Sequence, residues 1–528
     1  MLKVDLLEII FFKILLFILI YFFGYFSVIG FGKLFINNKN LYSNFNFFDL
    51  QIFGTILLLI LSYLIYLTIG TNFIINILIF LLGILFYFFY KKNLNKIKIT
   101  NLAILLIITL PIIFISKTHE DFNTYHYFSI YEVFNNNLRI GTYNLNDRFF
   151  HSSHLIHNQS LFVFPFLNLK MIHMPIIYIY ISTLGYFFYL TFLNRNSTEV
   201  LYSIFCILIL LVKFNRLSEF GYDYIAQFLL LIVFHKIYFL IDEDYEVITS
   251  SVIFLFSVLI KPISLLFIPI FFYLFIKRKL SFCLNIIKSR IITILSLVII
   301  LFSSSFFKTG CLFYPVNSSC FSKDQIFWSK KEEIKEYSEM VRFWAKAYYT
   351  QDESKYDKIE DKIIYNNNFN WLKFWVEKHF FYKIFEFLII LLLSFLITYI
   401  YFSKEKSDTK ERNNKNIFIF ILSALSIYFW LITVPQFRFG FSSIIIFSFI
   451  FFNFIFNKKI IFNKKKFYHI VFIGLLVLNV KSINRIVSEF QREDFYKFKN
   501  FPYYNEIEIK NDYSNLNRTK FFHIEILK

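Results

Sequence analysis

Residues 101–121 read NLAILLIITLPIIFISKTHED, an apolar run that ends abruptly in His119, Glu120 and Asp121. The stretch from Asn101 to Ser116 suits a packed membrane helix. An acidic pair at its mouth is costly in lipid unless it has a partner or a task. The polar segment that follows also carries His126, His151, His154 and His157, so six of the ten histidines lie between His119 and His173. That concentration points to chemistry on one side of a membrane.

Composition agrees. Of 528 residues, 57% are hydrophobic and 17% charged, whereas soluble domains carry about 25% charged residues. The 78 Phe are read as compositional bias that serves lipid-facing positions. The fold expected is all-α and polytopic, with about 13–14 transmembrane helices. The apolar runs are 7–30, 50–69, 72–90, 100–116, 170–193, 199–214, 224–241, 247–260, 262–276, 289–307, 381–402, 416–434, 440–456 and 467–481. Lys261-Pro262 divides two of them, because proline breaks the helical ladder. With 12 Gly in the chain and no Gly-rich loop, a nucleotide cradle is not expected, and nothing indicates nucleic acid. Asp5 and Glu8 in place of a basic n-region argue against a cleaved signal peptide.

Alternating these spans puts Lys91–Lys98, Arg195, Lys277–Arg290, Lys404–Lys415 and Lys458–Lys466 on one side, which the positive-inside rule makes cytoplasmic. The segments 117–159, 214–223, 308–380 and 435–440 then all face outward, as does the tail 482–528. Cys311 and Cys320 fall in an outward loop nine positions apart, compatible with a disulfide in an oxidising compartment.

Two amphipathic segments follow the acidic pair. Phe128, Tyr131, Val133 and Phe134 have near-helical spacing before Arg139 and Gly141, and a second segment runs from His154 to Phe166. Both are expected as interfacial helices roofing a pocket. His151, His154 and His157 at i, i+3, i+6 would need Glu120 or Asp121 to complete a metal site. No cofactor is firmly implied, and a divalent metal stays only an option. Pro435-Gln436-Phe437-Arg438-Phe439-Gly440 is a tight turn between spans. Its guanidinium suits a phosphate, or else snorkels as an interface anchor. Lys261 offers the same two readings. Asn215, Arg216, Glu219 and Asp223 form a polar turn in which Arg216 pairs with an acid or meets a ligand.

A carboxylate pair, cations at headgroup level and aromatic surfaces meet the needs of glycosyl transfer from a lipid phosphate. The arrangement resembles the GT-C superfamily of integral membrane glycosyltransferases, in particular protein mannosyltransferases, aminoarabinose transferases and an uncharacterised bacterial branch. The resemblance covers roughly 100–450. It rests on Glu120-Asp121, the Glu132–Gly141 stretch, Lys261-Pro262, Gly310–Pro315 and the Pro435–Phe439 turn. It implies Asp121 and Glu120 as catalytic, and His119, His126, His154, Arg216, Asp223, Lys261 and Arg438 as substrate-binding. It also implies a polyprenyl-phosphate sugar donor, a glycan, lipid or protein acceptor, and a bacterial inner (cell) membrane. That family usually places its acidic pair after the first span. Here the pair follows the fourth, so 1–99 reads as a three-helix extension before a domain at 100–481. The rivals are a flippase of lipid-linked sugars, which would carry charges inside its spans, and a non-catalytic assembly protein. The charges are expected in exterior loops, which favours the enzyme.

Overall fold

The computed structural model describes residues 2–35, 46–89, 99–113, 125–145, 148–149, 153–164, 167, 169–193, 196–213, 221–277, 280–348, 364–402, 414–456, 461–490, 518–521 and 524–527. His119, Glu120, Asp121, His151 and Arg216 lie outside these described residues.

Among the described residues, each of the expected apolar runs contains a helix. The chain begins with α1 (Leu2–Phe35), α2 (Phe47–Thr68), α3 (Phe73–Phe89) and α4 (Ile99–Ile113). Two short helices, α5 (Tyr127–Asn135) and α6 (Ile156–Ser160), lead to α7 (Met174–Leu193), α8 (Ser197–Lys213), α9 (Tyr222–Phe239) and α10 (Asp244–Ile260). Then come α11 (Ile268–Lys277), α12 (Leu280–Thr309), α13 (Lys331–Ala345), α14 (Leu372–Phe402), α15 (Asn414–Thr433), α16 (Phe437–Phe456) and α17 (Lys464–Phe490). Among the described residues eight helices are long and apolar enough to cross a membrane by themselves, and three shorter apolar ones accompany them. The protein is therefore an all-α, multi-pass membrane protein. The remaining apolar runs, α8, α9 and α10, carry charges near their ends and lie inside the bundle; α9 is buried along almost its whole length.

Helices α1, α2 and α3 pack as one unit because small residues let their backbones touch. A Cβ at Gly30 would stand 1.8 Å from the Gly83 carbonyl oxygen, and one at Gly54 1.8 Å from that of Val28. On α3, Leu78, Leu81, Leu82, Leu85, Phe88 and Phe89 are exposed, the pattern of a lipid-facing surface. Asn46 caps α2, accepting from the Phe48 and Asp49 amides at 2.9 and 2.8 Å.

At Lys261 the chain leaves α10 in an extended conformation, and Pro262–Phe267 makes a 3₁₀ turn into α11. Ser257 Oγ donates to Ser264 Oγ at 2.8 Å across the break, and Ser264 Oγ returns to the Ser257 carbonyl at 3.2 Å. The broken ladder is thereby re-satisfied inside the bundle. A π-helical stretch, Val376–Phe385, occupies the start of α14.

Of the two segments expected to lie at the interface, the second does not. Helix α5 forms where its spacing places it, but α6 is wholly buried rather than lying on a surface. Two of its polar side chains find main-chain partners in the bundle: Asn158 Nδ2 donates to the Thr55 carbonyl at 2.9 Å and Gln159 Nε2 to that of Ile172 at 2.9 Å. Near it, β1 (Arg139–Ile140) pairs in parallel with β3 (Ile524–Leu527), which pairs antiparallel with β2 (Arg518–Phe521). The C-terminal tail is thus held at the same end of the bundle as the loop after α5.

Candidate functional site

The polar connections that the charge pattern assigns to one side do meet at one end of the bundle. The Gly141 amide donates to the Phe307 carbonyl at 2.7 Å, and His154 reaches Leu259 at the close of α10. Gln436 Nε2, in the α15–α16 turn, donates to the Ala345 carbonyl at the end of α13.

Asp223 is the centre of this end. It sits in the first turn of α9, where the helix dipole favours an anion. Lys261 Nζ approaches its Oδ1 at 3.3 Å, and Arg438 Nε approaches its Oδ2 at 3.2 Å. Three helix ends therefore converge on one carboxylate: the start of α9, the break after α10 and the start of α16. Their side chains are partly open, with Asp223 13%, Lys261 18% and Arg438 39% exposed. His126 joins them from the N-terminus of α5. It is buried, and its ring centroid is 5.1 Å from that of Tyr222. Tyr222 donates to Gln159 Oε1 of α6, tying the two short helices to α9.

Beside this triad lies a cavity of about 400 Å³. Its walls come from the α10 break, the last turns of α12, the loop Phe313–Val316, one face of α13, and the α15–α16 turn. They are mostly aliphatic and aromatic. The cations at the wall are Lys261, Lys308 and Arg342, and among the described residues no carboxylate lines it. Such a cavity suits a ligand with an apolar body and an anionic group. The Cys311–Cys320 disulfide closes the loop that forms one wall, in agreement with the pairing expected from spacing.

His154 borders the cavity, and its Nδ1 lies 2.7 Å from the Leu259 carbonyl oxygen. A carbonyl only accepts, so Nδ1 carries the proton. Burial, followed by the charge of Lys308, pushes the His154 pKa down to about 3, against the opposing pull of the Leu259 carbonyl. His157 packs instead between Tyr63 and Tyr66, with ring centroids 5.1 and 5.3 Å away. The two histidines thus serve different neighbours. No group of three or more His, Cys, Asp or Glu among the described residues is placed to hold a metal.

Of the residues singled out from sequence, His126, Asp223, Lys261 and Arg438 are brought together and His154 stands at the cavity wall. Arg438 and Lys261 share one carboxylate, that of Asp223. Lys308 and Arg342 were not anticipated. Lys308 closes an apolar run, a position that reads as an ordinary helix end, and Arg342 lies on α13, whose turns are rich in charge.

The expectation that charges keep to exterior loops is overturned at the opposite end. Lys236, in the last turn of α9, lies 3.3 Å from Asp49 of α2 and 2.5 Å from Glu246 of α10. Next to it, His235 Nε2 meets Glu199 of α8 at 2.9 Å, and its Nδ1 meets Tyr186 Oη of α7 at 2.8 Å. None of these charged side chains is more than 8% exposed. The acids occupy first turns of their helices and Lys236 a last turn, so each of these complements a helix dipole.

Fold and site together define a polytopic helical membrane protein with an ionic centre beside an apolar, cation-studded cavity. Residues 7–445 match a family described as a domain of unknown function (DUF8201), and the chain belongs to that family. No curated protein and no solved structure matches it.

Proposed function

We propose that this protein is a membrane glycosyltransferase that moves a sugar from a polyprenyl-phosphate donor to a cell-envelope acceptor on the non-cytoplasmic face. The observation that carries this reading is the cavity. Apolar walls accept an isoprenoid chain, and Lys261, Lys308 and Arg342 supply positive charge for the phosphate. Asp223, committed to Lys261 and Arg438, acts as the residue that positions both cations. Arg438 meets it through Nε, which leaves the fork of terminal amino groups as the edge a phosphate would use.

In the reaction proposed, the acceptor oxygen forms a bond to the anomeric carbon as the bond from that carbon to the phosphate oxygen breaks. The acceptor proton passes to Asp121, with Glu120 beside it, and polyprenyl phosphate leaves. The cations stabilise the charge that grows on the leaving group. Membranes containing the protein, supplied with radiolabelled polyprenyl-phosphate sugars, should transfer label to an endogenous envelope acceptor. Absence of transfer with every sugar offered would count against the enzyme.

A second reading, a flippase of lipid-linked sugars, is favoured by the charges buried between α2, α8, α9 and α10. It predicts that the sugar-lipid crosses a reconstituted bilayer without losing its sugar.

A further inference from the structure

Trp344 stands apart from the other four tryptophans. Trp371, Trp375 and Trp430 are buried. Trp328, Trp375 and Trp430 each donate their indole N–H to a main-chain carbonyl, of Phe306, Pro435 and Gln436 respectively. Trp344 is 41% exposed. Its ring lies 5.4 Å from the guanidinium carbon of Arg438, and Arg438 holds Asp223.

Its position is built rather than incidental. Trp344 occupies the last turn of α13, the helix that lines the cavity through Ser338, Val341 and Arg342. The carbonyls at a helix C-terminus need outside partners. Here the Ala345 carbonyl accepts from Gln436 Nε2 at 3.4 Å. Gln436 Nε2 also lies 3.1 Å from Nε2 of His379 in the π-helical stretch. Cavity, Lys261, Asp223, Arg438 and Trp344 are thus joined by successive contacts.

Accepting the glycosyl-transfer reading, we infer that Trp344, Arg438 and Asp223 form a carbohydrate subsite at the mouth of the cavity, with Trp344 as its platform. A pyranose has an apolar C–H face that stacks on an indole and a rim of hydroxyls that both donate and accept. The Asp223 carboxylate, which has lone pairs beyond those facing Lys261 and Arg438, accepts from such a hydroxyl, and one terminal amino group of Arg438 donates to its neighbour while the other serves the phosphate. The sugar is then read by Trp344 while the phosphate and lipid are read by the cavity. An exposed tryptophan that merely anchors the protein in the headgroup layer would make no such distinction.

The test uses full-length protein in nanodiscs, titrated with polyprenyl phosphate alone and with its mannose-, glucose- and galactose-loaded forms. The wild type should bind at least one loaded lipid more tightly than the bare one. Trp344→Ala should lose that preference, by about tenfold or somewhat less, and bind the bare lipid as the wild type does. Trp344→Phe should keep part of the preference. Equal binding of loaded and bare lipids by the wild type, or an equal loss for both in Trp344→Ala, overturns the subsite and leaves the donor cavity standing. Failure of the wild type to bind any of these lipids overturns both.

Discussion

Two networks of carboxylates and cations sit at opposite ends of the same helix, α9. At its start Asp223 is shared by Lys261 and Arg438; at its close Lys236 is shared by Asp49 and Glu246. The chemistry is nearly identical and the surroundings are not. Arg438 is 39% exposed and its network adjoins a cavity, whereas Lys236 is 1% exposed. The Lys236 network joins α2, α9 and α10 and works as a lock whose removal leaves a charge stranded. The Asp223 network leaves cationic surface open to a ligand. Exposure beside a cavity, rather than the presence of charge at membrane depth, separates the proposed site from the buried network.

The largest effect should come from the carboxylate proposed as the base. Asp121→Asn should lower sugar transfer by about 100- to 10,000-fold while leaving expression and membrane insertion unchanged. Wild-type turnover in that variant would remove Asp121 from the mechanism.

The lock should respond in stability instead. Lys236→Ala strands two buried acids, and breaking a buried pair costs about 3–5 kcal/mol. The thermal midpoint in detergent should therefore drop sharply, and adding Asp49→Asn and Glu246→Gln should recover part of the loss. A variant of undiminished stability would show that this network fastens nothing. Asp223→Asn makes the opposite case, with its main loss expected in activity.

Arg438 sharpens the contrast at the open end. If its guanidinium fork grips phosphate, Arg438→Lys should be impaired, though less than Arg438→Ala, because lysine keeps the charge and loses the plane. A rise in KM alone would mean equal binding of ground and transition states, and a fall in kcat would mean stabilisation of the departing phosphate. Full activity in Arg438→Lys would reduce the residue to an interface anchor.

The smallest effect concerns pH. His154 has its pKa lowered from 6.5 to about 3, and that of His157 is also pushed well down, first by burial. With the folded-state value depressed, the unfolded chain takes up protons first as pH falls. Stability should be complete above about pH 6.5 and decline toward pH 3. His154→Gln keeps a donor for the Leu259 carbonyl and should flatten part of that decline, as followed by thermal midpoints across this range.

The helices were legible because apolar runs and their polar interruptions are local features. Lys261-Pro262 announced its own break, and Arg438, Asp223 and the Cys311–Cys320 pair stood out by position. The contact between Asp223 and Arg438 was not legible, since it joins residues 215 positions apart and depends on how α9 and α16 pack. Trp344 and Arg342 gave no signal within a polar, charge-rich helix. The buried lock did carry one: His235-Lys236 interrupts an otherwise apolar run, and an ionisable pair inside a span calls for partners.

The central claim is that the cavity beside Asp223 takes the phosphate of a polyprenyl lipid. It is tested most directly by titrating radiolabelled polyprenyl phosphate into nanodiscs that hold the wild type or the double variant Lys308→Ala, Arg342→Ala. Hydrogen bonds to charged groups contribute about 1.5–3 kcal/mol each, so affinity should fall at least about tenfold, with the thermal midpoint nearly unchanged. Equal affinity in the two proteins, or no saturable binding to the wild type, would contradict it.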